Sequence, residues 1–189
     1  MILEDPRGQP ATHRIGGRAT LDGMLQQAAL RQPEQVALSD PPNRASFTDG
    51  EPRRLTYAQA DRVVSAIARR LRRMGLATDT VVGIQLANTV ESVLALLGVL
   101  RAGLIAMPLP MLWRRTEMTA ALGRVNAGAL IVSGRIGAAD HFGLAMAVAA
   151  EIFSVRHVCG FGHDTPDGLI SLDEVFTADE PDPVPSLAD

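Results

Sequence analysis

Residues 79–103, with the sequence DTVVGIQLANTVESVLALLGVLRAG, contain the pattern that decides the fold. They begin with a short apolar run at 81–86, which is typical of a strand buried on both faces of a sheet. Asn88 or Thr89 can cap the helix that follows, and that helix is predicted to run through Arg101. A buried strand, a helix and a second apolar run form the βαβ unit of a parallel sheet.

The same alternation of helices and strands extends in both directions from this segment. Four further helices are predicted, over 21–31, 57–74, 117–126 and 139–153. The predicted N-cap residues of the first three are Thr20, Thr56 and Thr116. Short strands are predicted over 36–38, 104–107, 129–132 and 156–159. Residues 40–53 are predicted to be a turn or hairpin tip. Residues 169–176 fit either a strand or a short helix. This order predicts an α/β fold with a mostly parallel sheet flanked by helices on both faces.

Composition divides the chain into three parts. Residues 1–19 are polar and rich in Gly and Pro, which predicts a flexible lead-in. Residues 20–177 carry the α/β pattern. Residues 178–189 are acidic and interrupted by proline, as in a linker, so we expect a larger protein to continue beyond them.

The overall composition excludes several classes of function. Hydrophobic residues make up 47% of the 189 and charged residues 21%, as in an ordinary globular domain. The net charge of −3 gives no global electrostatic case for nucleic acid. All 18 basic residues are Arg, so no lysine Schiff base or Walker-A lysine can form. One cysteine excludes a disulfide framework and a multi-cysteine zinc site.

Neither a targeting segment nor a membrane span is predicted. The first residues carry an early acidic pair and a proline, unlike a signal peptide. The most apolar stretch, 90–112, is interrupted by Glu91, Arg101, Pro108 and Pro110 and is therefore predicted to be core. We expect a cytoplasmic protein.

Two motifs invite a catalytic or ligand-binding interpretation but lack the required partners. Residues 160–162 and 134–137 contain paired glycines without the full dinucleotide fingerprint, so we interpret them as turn glycines. His157, Cys159 and His163 are spaced like part of a metal site, but no second pair of ligands exists. Cys159 ends an apolar strand and is predicted to be a buried hydrophobe. No catalytic residue and no metal site is assigned.

The segment Trp113-Arg114-Arg115 lies between a predicted strand end and a helix start, where ligands bind in open parallel sheets. Guanidinium groups beside an indole suit a phosphorylated, planar ligand. We prefer the simpler interpretation, in which Trp113 closes the core and both arginines are exposed to solvent.

The ordered segments also resemble the adenylate-forming superfamily of acyl-CoA synthetases, peptide-synthetase adenylation domains and luciferases. Residues 55–61, LTYAQAD, are similar to that family's L-T-Y-x-E-L-D. Residues 79–88 and 96–103 resemble its G-D-R-V-A-I-x-L-x-N and A-x-L-A-x-L-x-A-G, and Pro108-Leu109-Pro110 follows at family spacing. The resemblance covers the chain from about residue 20 and implies the N-terminal subdomain of the acyl-CoA synthetase-like fold.

This resemblance implies part of an AMP-forming ligase that joins a carboxylic acid to a thiol with ATP, Mg²⁺ and coenzyme A. The family's phosphate loop, rich in Ser, Thr and Gly and ending in Pro-Lys, has no counterpart here, and neither does its catalytic lysine. We therefore expect the chain alone to be inactive and to bind none of these cofactors tightly. Its expected partners are downstream subdomains and a small carboxylic acid. Uncovered apolar surface predicts self-association, with a homodimer as one outcome.

By the same resemblance, loops that follow strands contact the nucleotide end of coenzyme A. The corresponding positions are Trp113, Arg114, Arg115 and Arg135. Two rival hypotheses remain, namely a stand-alone α/β binding or regulatory module and a nucleotide-binding oxidoreductase domain.

Overall fold

The order of helices and strands follows the predicted α/β alternation. A computed structural model describes residues 20–177, so the predicted lead-in 1–19 and linker 178–189 lie outside the described residues. The helices are α1 (Leu21–Arg31), α2 (Tyr57–Arg73), α3 (Val90–Arg101), α4 (Arg115–Arg124) and α5 (His141–Glu151). The strands are β1 (Val36–Ser39), β2 (Arg54–Thr56), β3 (Val81–Gln85), β4 (Ile105–Pro108), β5 (Ala129–Ser133), β6 (Arg135–Ile136), β7 (Ala139–Asp140), β8 (His157–Phe161) and β9 (Ile170–Ser171).

Five strands form one parallel sheet in the order β4-β3-β5-β8-β9. Val82 of β3 lies opposite Ala106 on one side and Ala129 on the other. The chain moves from β3 to β4 in one direction and then crosses to β5 and onward in the other. The sheet is therefore doubly wound, with its direction of winding reversing at β3 and β5, and the predicted fold class is confirmed.

Each face of the sheet carries its own hydrophobic core. On one face, Val64, Ile67 and Leu71 of α2 pack with Leu94 of α3 against Ile84 and its neighbours. On the other face, α4 and α5 pack against β5 and β8. This core includes Met118 and Leu122 of α4, Phe142 and Ala145 of α5, Val132 of β5 and Val158 of β8. Because both faces are covered, β3 and β5 read as continuous apolar runs in the sequence.

Helix α2 is the clearest helix in the sequence because local signals define its start. The Thr56 side chain accepts a hydrogen bond from the Gln59 N–H, and the Gln59 side chain accepts one from the Thr56 N–H. This reciprocal pair is a capping box. Near its end, Arg72 Nη2 donates to the backbone carbonyl of Arg101 at 2.9 Å, which joins α2 to α3.

The boundaries of two predicted helices need correction. Helix α4 begins at Arg115 rather than after Thr116, because the Glu117 carboxylate accepts the Arg114 N–H and caps the helix two residues earlier. Helix α5 is shorter than predicted, since Asp140 accepts the Gly143 N–H and the helix ends at Glu151. Residues 169–176 adopt both predicted alternatives, strand β9 followed by a 3₁₀ turn at Asp173–Phe176.

Among residues 20–177, no helix has both the length and the apolar character that crossing a bilayer requires.

Candidate functional site

The carboxyl ends of β3, β4, β5 and β8 meet at one edge of the sheet, because these strands are parallel. Ligands of doubly wound sheets bind beyond this edge, next to the strands where the winding reverses. The connection between β1 and β2, residues 40–53, folds over the same edge. It is held there by a 2.8 Å hydrogen bond from Thr48 Oγ1 to the Arg135 carbonyl, and by a bridge between Thr48 and Ile136.

An open cleft of about 530 Å³ lies where this connection meets the loops after β5 and β8. Its lining residues are Ala45, Thr48, Asp49, Gly50, Glu51, Pro52, Arg53, Arg135 and His163. The cleft therefore presents two guanidinium groups, two carboxylates and an imidazole. We call it the edge cleft.

A buried network of charges supports the floor of the edge cleft. Arg44 Nη1 donates to Asp40 Oδ2 at 2.6 Å and to Glu91 Oε2 at 2.9 Å, and all three side chains are buried. Burial opposes the charge on Arg44, but the hydrogen bonds and negative charges of Asp40 and Glu91 outweigh this effect and raise the pKa of Arg44. The network fixes the 40–53 connection to the first turn of α3.

Arg53 links this network to the cleft surface. Its Nε donates to Glu91 Oε1 at 3.0 Å, and its Cζ lies 3.8 Å from the centroid of the Phe176 ring. The pair of contacts holds the guanidinium plane in place while about a third of the side chain stays exposed. A positioned, partly exposed guanidinium suits an anionic ligand.

Arg135, predicted as a ligand contact, does line the edge cleft. Its Nε donates to Asp49 Oδ1 at 3.0 Å, and its Nη atoms donate to the carbonyls of Ala45, Thr48 and Gly137. These four bonds occupy four of its five N–H groups, and 38% of the side chain is exposed. The main role of Arg135 is therefore to hold the 40–53 connection in place. It also presents positive charge to the cleft.

The glycines after β5 and β8 make room for protein side chains, in keeping with their interpretation as structural glycines. A Cβ atom at Gly134 would lie 2.9 Å from the Phe142 ring and 3.1 Å from Asp49 Oδ2. Gly162 has a φ of +145°, and a Cβ atom there would also lie 3.1 Å from Asp49 Oδ2. A carboxylate at this position repels phosphate, so these glycines do not form a phosphate cradle.

Trp113, Arg114 and Arg115 lie outside the lining of the edge cleft, in the loop after β4 and at the start of α4. Trp113 is half-buried and packs against the core beneath α4 and α5, which agrees with the preferred interpretation. Arg114 Nη1 donates to the carbonyls of Met111 and Trp113 in its own loop. Arg115 forms an ion pair with Glu151 of α5, which neutralises its charge.

A second polar group fills the crevice between β3 and β5, and we call it the crevice cluster. Gln85, Ser133 and His141 form it, and all three are buried. Ser133 Oγ accepts the Ala87 N–H at 3.2 Å, and Gln85 Oε1 lies 3.0 Å from His141 Nδ1. None of these three residues is predicted from the sequence to have a functional role. The one sequence feature that could have pointed to this cluster is Gln85, a polar residue at the end of the otherwise apolar strand β3.

Within residues 20–177, Cys159 does not come together with His157 and His163 as a set of metal ligands. Burial raises the pKa of the Cys159 thiol to about 12, and its Sγ lies 3.8 Å from Met74 Sδ. A thiol with this pKa is a poor nucleophile at neutral pH. Within residues 20–177, no three His, Cys, Asp or Glu side chains come together as a set of metal ligands.

Comparison with known proteins adds a family match and several related structures. The family model described as "AMP-binding enzyme" matches residues 25–181. Long-chain fatty acid transport protein 1 of Bos taurus is 34% identical over 137 residues, which are 72% of this chain and 19% of that protein.

Two solved structures share the fold. MbtA of Mycobacterium smegmatis is 31% identical with a TM-score of 0.68, and the match covers 90% of this chain and 29% of that one. Acetoacetyl-CoA synthetase from Streptomyces lividans is 19% identical with a TM-score of 0.74 over 88% of this chain and 26% of that one, a likeness of fold alone. The chain spans less than a third of the length of each of these three proteins.

Proposed function

The chain belongs to the AMP-binding enzyme family, and from this premise we propose that it supplies the N-terminal part of an enzyme that joins a carboxylic acid to a thiol through an acyl-adenylate. The family match carries the proposal, since it spans residues 25–181 and so includes almost the whole described α/β unit. The bovine relative is named for long-chain fatty acids, which supports a fatty acid as one candidate substrate.

We assign ATP, Mg²⁺ and the chemistry of adenylation to other parts of that enzyme. The family's phosphate loop and catalytic site both use lysine, and this sequence has none. The proposed role of this chain is to form one wall of the substrate cleft and to position the thiol donor. Alone, the chain is expected to be inactive.

Coenzyme A is the proposed thiol donor, and it supplies the sulfur that receives the acyl group. The residues fit its phosphate-bearing end in part. Arg53 and Arg135 bring two positive charges to the edge cleft, which attract phosphate, although Arg135 has only one N–H left for a ligand and Arg53 Nε is already bonded to Glu91. Arg114 is exposed in the neighbouring loop and could add a third contact, with the partly exposed ring of Trp113 beside it. Arg115 contributes less because Glu151 already pairs with it.

The activity is tested by comparing this chain with the product of any longer reading frame that contains it. ATP–pyrophosphate exchange is measured with a panel of fatty, aryl and amino acids. We expect exchange by the longer product and none by residues 1–189. Turnover by the 189-residue chain would refute its inactivity. A frame that ends at codon 189, with no adenylating partner encoded beside it, would favour a stand-alone binding module instead.

The coenzyme A contacts are tested in the longer product by Arg135→Ala and Arg114→Ala. Loss of a charge-assisted phosphate contact removes about 1.5–3 kcal/mol of binding free energy, so the KM for coenzyme A should rise about tenfold or more while the KM for ATP stays unchanged. Arg124→Ala, at the end of α4, is the matched control. Equal KM values for coenzyme A in all three variants would contradict this assignment.

A further inference from the structure

The amide of Gln85 joins three separate parts of the chain. Its Nε2 donates to the carbonyls of Pro110 and Trp113 at 2.9 and 3.2 Å. Its Oε1 lies 3.0 Å from Nδ1 of His141, the first residue of α5. The end of β3, the loop 110–114 and the start of α5 therefore meet at one fully buried side chain.

This arrangement fixes the protonation of His141. The two carbonyls take both N–H groups of the amide, so the amide oxygen must face the imidazole. His141 Nδ1 must then carry the hydrogen and donate it to Gln85 Oε1. The other ring nitrogen, Nε2, carries no hydrogen in the neutral ring, is buried, and has no hydrogen-bond partner among residues 20–177.

A proton on His141 Nε2 would disrupt this unit. The side chain is only 1% exposed, and the new N–H would find no acceptor there. A buried, unpaired charge is strongly unfavourable, so the charged imidazole is stable only where it reaches water. To reach water, it must leave Gln85.

The loop 110–114 is the part that can yield. Apart from the two bonds to Gln85, the hydrogen bonds that residues 110–114 make within the described chain are internal to the loop or to the first turn of α4. Leu112 at its tip is 86% exposed. We propose that Gln85 and His141 form a pH-sensitive latch that holds this loop closed while His141 is neutral and releases it when His141 takes up a proton.

The charges around His141 agree with this direction. Burial is the largest effect and lowers the pKa of His141, and the guanidinium of Arg114 in the loop lowers it further. Asp140, which precedes it on the chain, acts in the opposite sense and raises the pKa. Gln85 of β3 and Ser133 of β5, the other members of the crevice cluster, are uncharged.

The pH window follows from the sign of this shift. The ordinary pKa of His is 6.5 and the folded value is lower. Above pH 6.5 the neutral form dominates in both states and the latch contributes fully. As the pH falls below that value, the open and unfolded forms bind the proton and the closed form does not, so closure weakens. This inference does not depend on the proposed enzymatic function.

Trp113 provides the readout, because it is the only tryptophan of the chain and lies in the loop. Its accessibility to acrylamide is measured on the full 189-residue chain from about pH 8 to about pH 5, with far-UV circular dichroism in parallel. We expect quenching to rise and emission to shift to the red as the pH falls, with helix content retained. A flat quenching profile while NMR shows His141 taking up a proton would overturn the latch.

Two variants separate the latch from general acid effects. In His141→Asn the side-chain N–H can still donate to Gln85 but the residue cannot take up a proton, so the loop should stay closed at every pH tested. His157→Asn, a half-buried histidine on β8, is the matched control and should keep the wild-type transition. A transition that persists in His141→Asn would refute the proposal.

A third variant tests Gln85 directly. Gln85→Leu removes both bonds to the loop, so Trp113 should be as accessible at pH 8 as it is in the wild type at pH 5. Low accessibility in this variant would contradict the role of Gln85. If Gln85→Leu does not fold, ¹⁵N NMR of the wild-type imidazole decides the point, since finding the hydrogen on Nε2 would exclude the latch.

Discussion

Asp40 joins two parts of the chain that are distant in sequence, the β1–β2 connection and the start of α3. Its Oδ2 accepts from Arg44 Nη1 at 2.6 Å and from the Arg53 N–H at 2.9 Å, and its Oδ1 accepts the Val90 N–H at 2.8 Å. The last bond caps α3, whose own N-cap residue Thr89 makes no side-chain cap bond. One carboxylate thus closes the β1–β2 connection and begins a helix fifty residues later.

Replacing this carboxylate by an amide should destabilise the protein strongly. In Asp40→Asn the buried Arg44 keeps the carboxylate of Glu91 and loses that of Asp40. The new side-chain NH₂ group also faces the N–H groups of Arg53 and Val90, which donated to the carboxylate. We expect a loss of about 3 kcal/mol in the free energy of unfolding, measured by urea denaturation. Asp79→Asn, an exposed and isosteric change, is the control and should stay within about 0.5 kcal/mol. Equal midpoints for the two variants would contradict the role given to Asp40.

The buried thiol of Cys159 should be chemically inert in the folded protein. Its pKa of about 12 leaves almost no thiolate at pH 8, and burial blocks access to reagents. We expect labelling by a thiol reagent to be slow in buffer and fast in concentrated urea. Rapid labelling of the native protein would show that β8 opens, or that the thiol is activated.

At the scale of elements, α1 contacts the domain through the Asp22–Arg101 ion pair and through the apolar side chain of Leu25. Arg101 of α3 donates to Asp22 Oδ1 at 2.8 Å, to Asp61 Oδ1 at 2.6 Å and to Ser65 Oγ at 2.7 Å. Leu21 and Met24 of α1 are mostly exposed. Leu25 is the α1 side chain that packs against the core.

Asp22→Asn should therefore loosen α1 before it affects the rest of the fold. The variant removes the charge that pairs with Arg101, while Asp61 and Ser65 continue to hold that guanidinium within α2 and α3. We expect faster amide hydrogen exchange in residues 21–31, with exchange in β3 and β5 unchanged. Glu34→Gln, in the exposed turn after α1, serves as the control. Uniformly faster exchange across the sheet would instead mean that α1 and the core unfold together.

At the scale of the whole molecule, the described surface includes large apolar side chains that nothing covers. Phe153 is fully exposed after α5, and Leu112 and Leu30 are 86% and 78% exposed. Exposed apolar groups of this size favour contacts between molecules, although isolated ones are common on monomers. Self-association stays a prediction for this chain.

The association is best measured by sedimentation velocity over a range of concentrations. We expect a shift toward larger species as the concentration of the 189-residue chain rises, and a weaker shift for Phe153→Ser. Arg124→Ser, which changes an exposed polar residue at the end of α4, should behave like the wild type. A single monomeric species at all concentrations would refute the expectation.

Local chemistry in the sequence determined the elements and the fold class. The β-branched run in β3 and the capping pair Thr56 and Gln59 act over a few residues, so their signals are readable without the fold. A mostly parallel sheet flanked by helices on both faces followed from the alternation of helices and strands, whereas the strand order did not. The family resemblance pointed to Arg135, and its place just after β5 puts it at the carboxyl edge of the sheet, while its contact with a ligand stays a prediction.

Tertiary structure alone decided which side chains meet at that edge. The partner Asp49 lies 86 residues before Arg135, and His141 lies 56 residues after Gln85. The 40–53 segment is predicted to be a turn or hairpin tip, and it does connect the antiparallel strands β1 and β2. That it also forms a wall of the edge cleft depends on the bonds of Asp40 and Thr48 to distant elements. Local patterns encode backbone conformation, whereas pairings between remote side chains depend on how the sheet is ordered and how each connection crosses it.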